Sequence, residues 1–164
     1  MKNILLTLIL AGFSMVSYAQ KTKHQDWTST IRSGFYEAYT FNESDASFGL
    51  FCMEKCFYYV DMNVKCKEGD KYSALMATSN GSTSVTLNCF TLKDRWISLI
   101  EPFDDVSTMI KGSESVGFAI ALKSGKFNVS RFSLNGSSKA MEAILIEAVK
   151  NNERKNSGFK NQLL

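Results

Sequence analysis

Four cysteines, Cys52, Cys56, Cys66 and Cys89, sit in one strand-like block, and their spacing constrains this fold more than any other feature. Between Cys56 and Cys66, Tyr58, Val60, Met62 and Val64 alternate with Asp61, Asn63 and Lys65, which is the period of a half-buried strand. Glu68-Gly69-Asp70 reads as a turn, and Tyr72–Thr78 runs back from it. Asn80-Gly81 is the strongest hairpin signal, because a tight primed turn needs positive φ at both central residues. Val85, Leu87 and Cys89 then share a face of the next strand. If Cys56 and Cys66 close the two ends of one strand, a rise of about 3.3 Å per residue puts them far beyond the Cα separation of about 6 Å that a disulfide allows. That leaves Cys52–Cys56 with Cys66–Cys89, the pairing we favour, and Cys52–Cys66 with Cys56–Cys89 as the alternative. The larger loop of the favoured set stabilises the fold by about 3 kcal/mol by restricting the unfolded chain.

Disulfides need an oxidising compartment, and the N-terminus supplies the route to one. Lys2, the apolar run Ile4–Phe13 and the small residues Ser17 and Ala19 have the layout of a secretory signal, with cleavage expected after Ala19. The run is shorter than the roughly 20 residues that span a bilayer. The expected location is the periplasm, or secretion beyond it, with no membrane insertion once the signal is removed. Of 164 residues, about 145 then remain, which suits one domain with a real core. The 19 basic and 16 acidic residues give a formal charge of +3, and without a basic run this excludes nucleic acid as an expected partner.

The pattern continues along the chain in the same style. Residues 20–26 read as a flexible polar lead-in, and Trp27–Tyr39, broken at Gly34, as two short strands or a strand and a turn. Asn42–Ala46 is a polar loop. Arg95–Ile100 is a strand stopped by Pro102, and Asp104–Lys111 a short helix or loop capped by an acidic residue. Ser115–Leu122 and Lys126–Leu134 pair through a turn at Ser124-Gly125. From Ser138 the period changes. Ala140, Met141, Ile144, Leu145, Ala148 and Val149 form the stripe of an amphipathic helix that docks on a sheet. Residues 151–164 read as a flexible polar tail. The fold class is therefore mainly β: a single disulfide-bonded antiparallel β-sandwich over residues 27–150, with one C-terminal amphipathic helix.

Catalytic patterns are missing. The only histidine, His24, falls in the polar lead-in, so no serine or cysteine nucleophile has a histidine base in a structured region. Ser113, in GSESVG, lacks the glycine spacing of a nucleophile elbow. Cys52 and Cys56 are separated by three intervening residues where redox motifs have two, and the four cysteines lack the paired knuckles of a zinc site. Neither a catalytic set nor a metal or cofactor is expected.

The late strand pair, the turn RFSLNG and the helix opening SSKAMEAI resemble the C-terminal part of invasion-associated locus B type periplasmic proteins, over Phe48–Ala148. The resemblance implies a β-sandwich followed by a helix, and a bacterial envelope location. It carries no catalytic residue.

Two functions fit this reading. The first is a non-enzymatic protein-binding module, such as an immunity or inhibitor protein or an envelope-interaction factor, meeting its protein partner through Trp96, Glu101, Asp104 and Asp105. The second is a sandwich that binds a small ligand or cell-wall glycan, with Trp27, Tyr58, Tyr59, Tyr72 and Trp96 as candidate platforms. Aromatic rings at such positions more often pack in cores.

Overall fold

The computed structural model describes residues 19–92, 95–122 and 124–160, with residues 154–160 in backbone only. The expected signal sequence lies outside the described residues up to Tyr18. Ten strands form one antiparallel sheet: β1 (Gln20–His24), β2 (Trp27–Arg32), β3 (Phe35–Phe41), β4 (Ser47–Cys52), β5 (Cys56–Asp61), β6 (Lys71–Thr78), β7 (Gly81–Leu92), β8 (Arg95–Glu101), β9 (Ser115–Ala121) and β10 (Phe127–Ser133). Helix α1 (Phe103–Ile110) joins β8 to β9, and α2 (Ser137–Lys160) ends the described chain. The strand order is β1-β2-β3-β4-β5-β8-β7-β6-β9-β10.

One continuous sheet thus takes the place of the two-sheet sandwich expected from the sequence. Its halves join where β5 meets β8 over only two residue pairs, Tyr59↔Leu99 and Val60↔Ser98. Strand twist accumulates across a sheet, and a joint this narrow lets the halves curl toward each other. Phe48 of β4 consequently meets Phe118 of β9 and Phe132 of β10, with ring centroids 5.4 and 5.9 Å apart. These rings, with Trp27, Leu50, Tyr58, Val60, Met76 and Leu87, form the main core. Helix α2 closes it by packing on β2, β3 and β4 through Ala140, Met141, Ile144 and Ala148. Leu145 and Val149 of the expected stripe remain exposed.

The disulfides are Cys52–Cys56 and Cys66–Cys89. The first joins directly opposed residues at the end of the β4–β5 hairpin, and the second ties the segment after β5 to β7. The Cys56–Cys66 strand is shorter than its alternation suggested. It leaves the sheet after Asp61, and Asn63 adopts a φ of 57°.

Three further expectations change. Gln20–His24 is no loose lead-in but an edge strand, because backbone pairing with β2 orders it without any apolar side chain. Its turn is fixed at the far end of the sheet, where the Asp26 N–H donates to Asn135 O (3.2 Å), Ser133 Oγ donates to Asp26 Oδ2 (2.6 Å) and Trp27 Nε1 donates to Ser133 O (2.8 Å). The helical backbone also continues through the expected tail to Lys160, while residues 161–164 lie outside the described residues. Finally, the β6–β7 turn pairs Thr78 with Gly81, so Ser79-Asn80 are its central residues and the positive φ, 125°, falls on Gly81 alone. Asn80 has another task. Its Nδ2 donates to Met109 O and Lys111 O at 3.0 and 2.9 Å, satisfying carbonyls that the end of α1 leaves unpaired.

Helix α1 forms where expected, but without an acidic cap. Pro102 occupies the capping position, and Asp104 and Asp105 sit in the first turn, where negative charge meets the positive end of the helix dipole. Among the described residues, no helix is long and apolar enough to cross a membrane.

Candidate functional site

A sheet with one face on the core leaves its other face to solvent, yet here the second face carries its own buried cluster. Successive side chains alternate between faces, so Phe35, Glu37, Tyr39 and Phe41 of β3 point away from the core. Cross-strand pairing places them beside Phe51, Gly49 and Ser47 of β4, which are in turn opposite Phe57, Tyr59 and Asp61 of β5. Phe51, Tyr59 and Ile97 are fully buried there, with Phe35, Phe57, Phe90, Leu92 and Leu99 packed around them.

Tyr59 organises this layer. Its ring fits over Gly49, where any Cβ would meet Tyr59 Cε1 at 2.9 Å and Ala38 O at 2.5 Å. Its hydroxyl donates to Glu37 Oε1 at 2.7 Å, and the Arg95 guanidinium lies 5.9 Å from its ring centroid. Arg95 Nη2 also donates to Ser47 Oγ at 3.1 Å and stands 3.7 Å from Asp61 Oδ2. Burial, reinforced by the Glu37 carboxylate, pushes the Tyr59 hydroxyl well above the usual phenol range, and Arg95 only partly offsets this. The phenol is therefore a fixed neutral donor. Partial burial works against the Arg95 charge, but Tyr59, Glu37 and Asp61 outweigh it and raise its pKa.

Above this network the face is concave. A cleft of about 380 Å³ runs between β1–β3 and the β7–β8 hairpin, lined by Lys21, Thr30, Arg32, Phe35, Glu37, Tyr39, Phe41, Leu92 and Arg95. Two cations rise from the β1–β2 side, Lys21 being paired in register with Thr30 and Arg32 lying next outward on β2. Lys21 Nζ lies 5.9 Å from the Tyr39 ring centroid, within reach of a cation–π contact. Apolar walls with a few fixed polar groups are the usual makeup of a small-molecule site.

The residues singled out in the sequence are distributed differently. Trp96 is at the hairpin end of β8, opposite Thr91, in a shallow hollow with Asp61, Asn63, Val64, Lys65 and Arg95. Glu101 ends the same strand opposite Thr86, five residues on and so on the other face, roughly 16 Å away. Asp104 and Asp105 follow it in α1. The structure brings Glu101 and the two aspartates to one end of β8 and places Trp96 at the other. Of the proposed aromatic platforms, Trp27, Tyr58 and Tyr59 are core residues, Tyr72 is half-buried with its hydroxyl 2.6 Å from Ser98 Oγ, and Trp96 is exposed. His24, expected in a loose segment, ends β1 with Nε2 2.9 Å from Ser29 Oγ. Ser29 is 2% exposed, on the core side of β2, out of reach of a substrate.

Sequence reasoning missed Lys21, Arg32, Glu37 and Arg95. Their one signal is in β3, FYEAYTF, where aromatic residues occupy both faces around a single glutamate, as in a strand covered on both sides. No family model matches this chain, and no curated protein or solved structure matches it.

Proposed function

We propose that this chain is an exported, non-enzymatic binding protein that holds a small ligand in the cleft on the outer face of its sheet. The observation that carries this reading is the preformed cleft itself, with aromatic walls above the fixed Tyr59–Glu37–Arg95 network. The buried Tyr59 hydroxyl bound to Glu37 holds the floor of the site in shape before anything binds, which lowers the ordering cost of binding. The disulfides support a location outside the cytoplasm, and the leader and the envelope-protein resemblance favour the periplasm. The ligand reading is preferred to a protein partner docking on Trp96 and the acidic residues, because those residues face different parts of the surface.

Retention from an extract tests this reading. Immobilised oxidised protein is incubated with the envelope fraction of the source cells, and small molecules released by denaturation are compared with those released from a Lys21→Glu/Phe41→Ser variant. Both substituted side chains are exposed, so the fold is retained. Wild type is expected to retain molecules that the variant does not. Equal retention, or a wild type carrying only a protein, contradicts the proposal.

A further inference from the structure

Charge in the cleft is unevenly satisfied. Among the described residues, three cationic side chains and one carboxylate line it. The carboxylate, Glu37, is engaged by the Tyr59 hydroxyl at 2.7 Å, and Arg95 is drawn to Asp61 and Ser47. Lys21 and Arg32 make no salt bridge among the described residues, although they flank one another on neighbouring strands. Two like charges on neighbouring strands repel, and an anion bound between them converts that repulsion into attraction. A guanidinium beside an ammonium suits a planar carboxylate, which accepts two parallel N–H bonds from the guanidinium fork.

Resting on the cleft as the binding site, we propose that its ligand is an organic carboxylate. The carboxylate seats between Arg32 and Lys21 at the mouth, and an apolar body lies against Phe35, Tyr39 and Phe41. Glu37 sets this orientation. Its negative charge on the floor repels an anion that enters deeper, so the apolar part goes in first.

The probes are N-acetyl-L-phenylalanine and N-acetyl-L-phenylalaninamide, which differ only in the head group, titrated into the oxidised protein and followed by amide NMR shifts. The carboxylate is expected to bind roughly tenfold more tightly than the amide, shifting resonances around Lys21, Arg32 and Tyr39, with the preference weakened by salt. Arg32→Gln should bring the two affinities close together while leaving the melting temperature unchanged, since Arg32 is exposed. Equal affinities of wild type for both probes at the cleft would overturn the carboxylate assignment but keep the cleft as a binding site. Binding of neither probe would count against both. A preference that survives Arg32→Gln would overturn the role of Arg32.

Discussion

Gly49→Ala is expected to destabilise the protein by about 3 kcal/mol, lowering its melting temperature by roughly 6–12 °C. Gly49 lies in β4 between two tyrosine-bearing strands, paired with Tyr39 on one side and Tyr59 on the other. A methyl group there would approach Ala38 O at 2.5 Å, Tyr59 Cε1 at 2.9 Å and Tyr39 Cβ at 3.0 Å. Two of these neighbours cannot give way alone, because a carbonyl and a Cβ move only with their strand. The third is the ring under the cleft, so the substitution should also disturb the Tyr59–Glu37 bond. Gly117→Ala is the control. Gly117 is also in a strand, but its nearest neighbours would be 3.8 and 3.9 Å away, and its cost should stay within about 0.5 kcal/mol. Thermal melts of the two variants check the account, and equal melting temperatures would contradict it.

Gly136→Ala is expected to cost about as much, for a different reason. Gly136 has a φ of 91° at the entry to α2, and a side chain there would run into the carbonyl group of His24. The β1–β2 turn is thus packed against the start of the helix, beside the Asp26–Ser133 and Trp27–Ser133 hydrogen bonds. Strain from a non-glycine residue in this conformation is about 1–2 kcal/mol, and the clash adds to it. Gly125→Ala separates the two contributions, since Gly125 has a φ of 78° but open space around it. The loss for Gly136→Ala should exceed that for Gly125→Ala by about 2 kcal/mol in denaturant titrations. Equal losses would mean that the β1–β2 turn does not press on the helix entry.

Both glycines show where sequence reading stops. Alternation at Tyr58, Val60 and Met62, and at Val85, Leu87 and Cys89, marked the buried faces because period-2 burial is a local property. Helix α2 was legible for the same reason, through its 3.6-residue stripe. The edge strand β1 was not. Its order comes from backbone pairing and from contacts more than 100 residues away, which a run of Lys and Thr does not reveal. The cleft was hidden in the same way. Lys21, Arg32, Glu37, Tyr59 and Arg95 belong to five strands, and only the curl and register of the sheet bring them to one face. The patch expected around Trp96 failed to assemble because residues five apart on a strand point to opposite sides.

The outer surface beyond the cleft offers a competing site. Leu75, Phe127 and Val129 are exposed on the same face of β6 and β10, with Ala119 of β9 between Leu75 and Val129. An apolar patch of this kind attracts weakly soluble compounds without selecting among them, and among the described residues it shows no buried hydrogen-bonded pair comparable to Tyr59–Glu37.

The most direct measurement of the central claim is an amide NMR screen of the oxidised protein against a library of small, chemically varied fragments. Fragments collect where a surface is preformed and partly dry, whatever the natural ligand. Hits are expected to converge on the amides of β1–β3 lining the cleft and on Arg95. Convergence on Leu75, Ala119 and Val129, or on the surface around Trp96, would contradict it.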